Sequence, residues 1–415
     1  MNIVGDRLAT LDATLVETAK SIRILSSLTW PRELAESFLS GWRAGSPKLP
    51  VYRWEGQRSE AAISALEALS SRCDRQHPLE RYIAETAGSY LTAARMLAGL
   101  GTPSFTEHSA RLYGIPDTRL GPRGPTVLEA ADLFIESTED FIAASPRPAD
   151  ACCVLPAHVA GELQRVITGF FTDHPVEVVV DDELASRAAA GSRRVRIRGS
   201  TSFSWNDIPQ LLNHEVFVHT LTMLNGREQP VLKSMGLGAP RTTLTQEGLA
   251  IFAEFITNSI DLHRLRRIAL RIKAVEFALE GADFLDLFRF FLESGQNEQE
   301  SFFSAMRIFR GGDLRGRVCF TKDVVYLKGF VLIHTFLLKA IQSGKVTWPH
   351  ILFSGRLALA DLPGFEEYYG TTVAPPRYEP SWIRNRDTLL AFLLHSGFTN
   401  RIALDEIELD DLTAA

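Results

Sequence analysis

The hydrophobic residues of this 415-residue chain recur at helical spacing along almost its whole length, and the pattern changes in only one region. Apolar positions three and four apart predict helices up to about residue 147, and again from about residue 206 to residue 342. Between about 176 and 199 the apolar residues alternate, in VEVVV (176–180) and RVRIR (194–198), which is typical of short strands with one buried face. The sequence therefore predicts an α+β fold that is mainly α, with one small sheet.

Turn-forming residues indicate where this chain is divided. The strongest breaks are the Gly- and Pro-rich stretch 115–125 and the stretch 144–148, and both are too short to act as free linkers. We predict an N-terminal helical region at 1–147, a central domain at 148–345, and a C-terminal segment at 346–415 that packs on the central domain. A chain of this length can bury a substantial core.

Charge and cysteine content limit the classes of partner. The 44 Lys and Arg residues against 50 Asp and Glu residues give a net charge of −6, so we expect neither a nucleic acid nor an anionic membrane as partner. Four cysteines, with Cys152 next to Cys153, have neither zinc-ribbon spacing nor the density of a disulfide scaffold. No secretory leader pattern is present and no uncharged apolar run reaches about 18 residues. We therefore expect a cytoplasmic protein with no membrane span.

The segment LLNHEVFVHT (211–220) is the most informative stretch of the chain. Two histidines on one predicted helix can bind Zn²⁺ through neutral imidazoles, and the carboxylate of Glu215 beside the first can accept a proton from a water molecule. The usual motif is HExxH, with its histidines four residues apart on one face of a helix. Here His214 and His219 are five apart, which gives HExxxH.

This spacing requires a distorted helix if both rings are to reach one ion. At about 100° per residue, side chains five positions apart on a regular α-helix are separated by roughly 140°. A local π-bulge would bring them together, and such bulges often mark functional sites. The alternative is that His214 and His219 are ordinary polar residues of a half-buried helix.

A third ligand is available in the segment TQEGLA (245–250), which opens the next apolar helix. Its Glu247 could complete a three-ligand site that leaves one coordination position open, as in catalytic zinc sites. Gly248 would let another helix approach closely. Glu254, two turns further along, is either the alternative ligand or a partner that supports a histidine ring from outside the ligand set. Each glutamate could instead be a carboxylate on a helix surface.

Four motifs in a fixed order resemble one known family. They are SARLYGIP (109–116), HEVFVHTLTMLNGREQP (214–230), TLTQEGLA (243–250) and FTKDVVYLKG (320–329), and they cover roughly residues 100 to 345. Together they resemble the microtubule-associated tyrosine carboxypeptidases and their bacterial relatives, the flavohaemoglobin expression-modulating QEGLA-motif proteins. HExxxH alone would be a weak signal, whereas the four motifs in this order are a strong one.

The resemblance implies a function and a set of site residues. It implies that residues 148–345 form a zincin-like catalytic domain, that His214, His219 and Glu247 bind Zn²⁺, and that Glu215 is the catalytic base. The activity implied is a zinc metallopeptidase of the carboxypeptidase type. It would remove a C-terminal residue, tyrosine or another aromatic residue, from a peptide or protein.

Three further residues are candidates for contact with the substrate. Tyr326 could donate a hydrogen bond to the oxyanion, because a phenol does so without adding a full charge. A free α-carboxylate calls for Arg or Lys, and we select Arg310 and Lys322 from the basic residues before Tyr326. The alternative is that these basic residues belong to a solvated loop.

Two other basic segments have simpler interpretations. The strand Arg194–Arg198 precedes the HExxxH helix, and as an edge strand it could pair with the substrate backbone. Its arginines could equally serve to prevent edge-to-edge aggregation. The run LHRLRRIALRIK (262–273) is interpreted as the charged face of an amphipathic helix rather than as a nucleic-acid or membrane site.

Two functions other than a carboxypeptidase stay open at this point. One is a zinc-dependent amide hydrolase that acts on a non-peptide substrate with the same water chemistry. The other is a non-catalytic regulatory module in which the metal only stabilises the fold.

Overall fold

The computed structural model of the chain describes residues 3–57, 59–144, 154–184 and 186–399, so that Cys152, Cys153 and the acidic end of the chain lie outside it. Its α-helices are α1 (Ile3–Ala19), α2 (Ile24–Ser27), α3 (Arg32–Arg43), α4 (Glu60–Arg72), α5 (Pro78–Ala98), α6 (Pro103–Tyr113), α7 (Val127–Ala144), α8 (Pro156–Phe170), α9 (Asp207–Leu211), α10 (Leu221–Glu228), α11 (Thr243–Ile256), α12 (Leu262–Glu280), α13 (Phe284–Glu293), α14 (Glu298–Phe309), α15 (Val324–Gln342), α16 (Trp348–Phe353), α17 (Leu362–Phe365), α18 (Ser381–Arg384) and α19 (Arg386–Thr399). The strands are β1 (Glu177–Asp181), β2 (Ala188–Ala190) and β3 (Arg194–Arg198). The prediction of an α+β fold that is mainly α, with one small sheet, is therefore confirmed.

The N-terminal helices surround α5, which is buried along most of its length. Pro78 begins this helix, where its missing amide hydrogen costs no helical bond, and the His77 side chain accepts a hydrogen bond from the amide of Glu80 at 3.4 Å. Helices α1, α4 and α6 pack on α5. From α1, the buried carboxylate of Asp12 accepts hydrogen bonds from the amide of Ser234 at 3.1 and 3.2 Å and from its hydroxyl. This contact joins α1 to the 3₁₀ helix Lys233–Gly236.

The three strands form one sheet in the order β1-β3-β2. Strand β3 pairs in parallel with β1 and antiparallel with β2, so β3 is the central strand. Val195 and Ile197 are fully buried, as the alternating pattern predicts. The expectation that Arg194–Arg198 is an edge strand open to a substrate is wrong, because both of its edges are already hydrogen-bonded. The edge strands are β1 and β2, and β2 packs beside the helix that carries His214 and His219.

Helices α11 and α15 lie in direct backbone contact. A Cβ atom added to Gly248 would come within 2.4 Å of the backbone of Gly329, and one added to Gly329 would come within 2.4 Å of the carbonyl oxygen of Leu244. Two facing glycines therefore allow this approach, as the sequence predicts for Gly248. The stretch Thr321–Gln342 is long and apolar enough to cross a membrane, a test that core helices of soluble proteins also pass, and 39% of its apolar window is buried. The absence of a membrane partner stays a prediction.

Helices α12, α13 and α14 enclose a second hydrophobic cluster with α3 and α7. Its centre is aromatic: the rings of Phe38 and Phe284 lie 5.1 Å apart, and those of Phe284 and Phe302 lie 5.4 Å apart. Tyr326 and Phe330 of α15 pack against both this cluster and the larger one, which includes α5, the sheet and α11. Helix α15 therefore lies between the two clusters. The division of the chain at residues 147 and 345 stays a prediction.

Candidate metal centre

A π-helix carries both histidines of the HExxxH motif. It spans Leu212–Thr220 and runs without a break between α9 and α10. Hydrogen bonds from residue i to residue i+5 widen each turn, so that side chains five positions apart face the same direction. The helical distortion that the spacing requires is thus present, and it extends over nine residues.

The structure brings together the three side chains that the resemblance names as ligands. His214 Nε2 lies 3.6 Å and His219 Nε2 lies 3.7 Å from Oε2 of Glu247. The three ligand atoms all lie within 4.8 Å of one another. Ligands of one tetrahedral zinc ion are about 3.3 Å apart, so this donor set of two imidazoles and one carboxylate fits zinc. Among the described residues no other His, Cys, Asp or Glu joins this group.

A buried ion pair supports His214 from behind. Oε1 of Glu254 lies 2.6 Å from Nδ1 of His214, and the guanidinium of Arg264 donates to both oxygens of Glu254, at 2.6 Å from Nη2 to Oε1. Burial favours the neutral form of Glu254, but the charge of Arg264 and the hydrogen bond from His214 outweigh it and lower the pKa of Glu254 to about 2. Glu254 is therefore a carboxylate that orients the His214 ring, which was one of the two roles predicted for it.

His219 has a weaker support. Its Nδ1 lies 3.4 Å from Oε1 of Gln246, and that oxygen accepts a hydrogen bond from the hydroxyl of Thr222 at 2.9 Å. The residue before Glu247 in the TQEGLA segment therefore helps to orient the second histidine, a role that the sequence analysis missed. On the other side of the π-helix, Nη2 of Arg356 donates to the carbonyl oxygen of His219 at 3.1 Å. Burial lowers the pKa of Arg356 to about 10.

Glu215 is hydrogen-bonded to the sheet. Its Oε2 accepts a hydrogen bond from the amide of Ala190 in β2 at 3.1 Å, and its side chain is only half-buried. Strand β2 thus holds the proposed base, although its three alanines carry no strand pattern in the sequence. A half-buried carboxylate with one backbone donor can both accept and release a proton.

Lys322, predicted to bind the substrate carboxylate, contacts Glu247. Its Nζ lies 2.8 Å from Oε1 of Glu247 and 5.0 Å from the centroid of the Tyr326 ring, and the residue is 8% exposed. Burial favours the neutral form of Glu247, but the charge of Lys322 and hydrogen bonds from both histidines hold the pKa of Glu247 well below its usual range. The Lys322 charge is thus already balanced by a proposed metal ligand.

Tyr326, the proposed oxyanion donor, lies beside a second buried ion pair. Its phenol oxygen accepts a long hydrogen bond from Nη2 of Arg307 at 3.4 Å. Arg307 also donates to both carboxylate oxygens of Asp323, at 2.6 and 2.9 Å. Because the phenol accepts from Arg307, its own hydrogen is free to be donated elsewhere.

Three arginines near Tyr326 have no hydrogen-bonded carboxylate among the described residues. Arg310, a predicted substrate residue, stacks its guanidinium 5.0 Å from the Phe320 ring, and its buried Nε has no hydrogen-bond partner. Arg271 comes no closer than 3.9 Å to Asp323, and its Nε is also unpaired. Arg267 is half-buried one turn before Arg271.

Arg264, Arg267 and Arg271 all belong to the basic run that was interpreted as a charged helix face. That interpretation is wrong for these three arginines, which turn inwards: Arg264 and Arg271 are only 16% and 17% exposed. Burial, and to a smaller extent the charge of Arg307, lower the pKa of Arg271 to about 9 and that of Arg310 to about 10. The helix α12 therefore presents positive charge to the interior, not to solvent.

Comparison with known proteins adds one finding to this geometry. A family model described as microtubule-associated tyrosine carboxypeptidase matches residues 37–401, which is most of the chain. No curated protein matches the chain. The matched range includes the π-helix, Glu247 and all the charged residues of the candidate site.

Proposed function

The chain belongs to the microtubule-associated tyrosine carboxypeptidase family, and from this premise we propose that it is a zinc-dependent carboxypeptidase that removes the last residue of a peptide or protein. The description of the family supports tyrosine, or another aromatic residue, as the terminal residue to test first. The observation that carries the proposal is the convergence of His214, His219 and Glu247, whose ligand atoms lie within 4.8 Å of one another.

The chain's own residues supply the proton transfers. When bound by His214, His219 and Glu247, zinc would lower the pKa of a water molecule and polarise the peptide carbonyl. The carboxylate of Glu215 accepts the proton of the attacking water and delivers it to the leaving amine. The amide of Ala190 fixes this carboxylate through a 3.1 Å hydrogen bond.

Tyr326 is the proposed donor to the oxyanion of the tetrahedral intermediate. The hydrogen bond that its oxygen accepts from Arg307 polarises the phenol O–H bond and so strengthens the hydrogen bond that it donates. Lys322 holds Glu247 from the side away from the histidines, because it contacts Oε1 while both histidines face Oε2.

The free edge of β2 is the proposed partner of the substrate backbone. The amide of Arg198 in β3 donates to the carbonyl of Arg187, so in the antiparallel register Ala188 and Ala190 direct their backbone groups to the opposite edge. The amide of Ala190 already points that way, towards Glu215. An extended peptide that pairs there would run beside the proposed base.

The test is incubation of the zinc-loaded protein with a library of peptides, followed by mass spectrometry. We expect losses of single C-terminal residues, which a chelator stops and zinc restores. Glu215→Gln should retain zinc and the melting temperature while kcat/KM falls at least roughly 10³-fold, since a positioned base and its proton return are lost together. An untouched library with turnover of small amides would favour a non-peptide amide hydrolase. An unchanged cellular phenotype of Glu215→Gln would favour a non-catalytic module.

A further inference from the structure

The interior beside Tyr326 contains more positive than negative charge. Arg271, Arg307 and Arg310 lie around this residue and share Asp323 as their acidic side chain, and Arg267 lies one turn before Arg271. Asp323 accepts two hydrogen bonds from Arg307, which leaves the other arginines without an acceptor of their own. Buried cations are costly unless they are paired, so a cluster of this kind is built for an anion that arrives from outside.

The unpaired nitrogen atoms support this view independently of the charges. The Nε atoms of Arg271 and Arg310 are shielded from solvent and have no hydrogen-bond partner. No described residue accepts a hydrogen bond from the guanidinium of Arg267. A carboxylate is the ligand whose planar pair of oxygens matches a guanidinium, and it would satisfy several of these donors at once.

The position of the cluster relates it to the proposed metal site. Lys322 contacts Glu247 and lies over the Tyr326 ring, while Arg307 contacts the phenol oxygen of the same tyrosine. Tyr326 therefore lies between Glu247 and the arginines. A peptide whose scissile carbonyl is near Glu247 and Tyr326 would place the group that follows that carbonyl towards the arginines.

We propose that Arg271 and Arg310, with Arg267 one helical turn from Arg271, bind the α-carboxylate of the substrate's terminal residue. This inference rests on the proposed function and deepens it, because it assigns the recognition of a free C-terminus to α12 and to Arg310, the residue that follows α14. It replaces Lys322, whose charge is already taken by Glu247. The preference for a chain end over an internal bond then follows from a cluster that only a carboxylate can neutralise.

The experiment compares each peptide with its C-terminal amide. Binding is measured by calorimetry in the zinc-loaded Glu215→Gln protein, which does not consume the peptide, and turnover is measured in the otherwise unchanged protein. We expect the free acid to bind roughly 10- to 100-fold more tightly than the amide, which is the range for hydrogen bonds to a charged group. Arg271→Gln and Arg310→Gln should each reduce this ratio towards one, mainly through KM.

The matched control is Arg266→Gln on the same helix, because Arg266 faces Glu139 at 3.9 Å instead of the cluster. It should leave the ratio unchanged. Arg271→Gln should also leave the melting temperature equal or higher, since it removes an unpaired buried charge, and a purely structural arginine would lower it. If the unchanged protein cleaves no peptide, the proposed function fails. If it removes terminal residues while Arg271→Gln and Arg310→Gln keep the full acid preference, the assignment of the arginines is wrong.

Discussion

Two groups of buried charges adjoin the proposed metal ligands, and they differ in balance. Behind His214, one carboxylate faces one guanidinium: Glu254 is 0% exposed and accepts two hydrogen bonds from Arg264. Beside Tyr326, three arginines, Arg271, Arg307 and Arg310, share Asp323. Both groups draw arginines from the same helix, α12. The difference indicates that the balanced pair maintains geometry, whereas the unbalanced cluster is held ready for a ligand.

Glu254→Gln breaks the balanced group and should have the largest effect on stability. It leaves Arg264 buried without its carboxylate, which we expect to lower the free energy of unfolding by roughly 3–5 kcal/mol. It also replaces the charged acceptor of His214 with a neutral amide, so zinc affinity should fall roughly 10- to 100-fold. Urea denaturation and zinc titration measure the two effects. Adding Arg264→Met should recover much of the stability but not the affinity, and a stability loss below about 1 kcal/mol in Glu254→Gln would contradict this account.

Asp12 sharpens the comparison, because it is a buried carboxylate bound by neutral donors. Burial raises the pKa of Asp12 from 3.8 to about 6, although the hydrogen bonds from Ser234 oppose this shift. The folded state then binds more protons than the unfolded state between about pH 4 and pH 6, so stability falls as the pH rises through this window, by up to roughly 3 kcal/mol. Asp12→Asn should remove that slope in denaturation measured from pH 4 to pH 7. The exposed Asp6→Asn, on the same helix, should keep it, and equal slopes in all three proteins would refute the assignment.

Gly248→Ala tests whether the two groups depend on one helix contact. The added methyl would overlap the backbone of Gly329, so we expect a stability loss of roughly 1–3 kcal/mol from overpacking. Because α11 carries Glu247 and α15 carries Tyr326, zinc affinity and the preference for a free carboxylate should decline together. Gly161→Ala, at a position where an added methyl meets nothing within 4 Å, is the control. Loss of only one of the two properties would show that the groups are independent.

A product analogue should stabilise the protein through the unbalanced group alone, and this gain in stability is the smallest effect that we expect. N-acetyltyrosine at ten times its dissociation constant should add about 1.4 kcal/mol to the free energy of unfolding. The corresponding amide should add at most about 0.4 kcal/mol at the same concentration, and the two compounds should stabilise Arg271→Gln to the same small extent. Thermal melting with increasing ligand measures the shift. Equal stabilisation by acid and amide would indicate that the cluster does not select a carboxylate.

The sequence was sufficient for those features that a local pattern encodes. The five-residue step between His214 and His219 predicts a distorted helix, and the structure contains a π-helix there. The alternation in 194–198 predicts a one-sided strand. Gly248, next to a potential ligand, predicts a close helix approach, and Gly329 is the residue that it meets. Each prediction depends on residues a few positions apart, where periodicity and steric size act directly.

The features that the sequence did not reveal depend on distant partners. The strand Ala188–Ala190 has no pattern of its own and exists because β3 offers it an edge. Lys322 finds its acidic partner 75 positions away in the chain, so this contact could not be read from its neighbours. The arginines of α12 lie on an amphipathic run, and only the location of Glu254 and Asp323 shows that this face is turned inwards.

The glycine contact between α11 and α15 has a consequence for how this enzyme could be redesigned. No side chain separates the two backbones there, so the helix of Glu247, the proposed third ligand, and the helix of Tyr326 are in direct backbone contact. Helices α12 and α14 bring their arginines to this pair of helices from outside. Engineering aimed at new chain ends should therefore vary the residues of α12 and α14 and leave the paired glycines untouched.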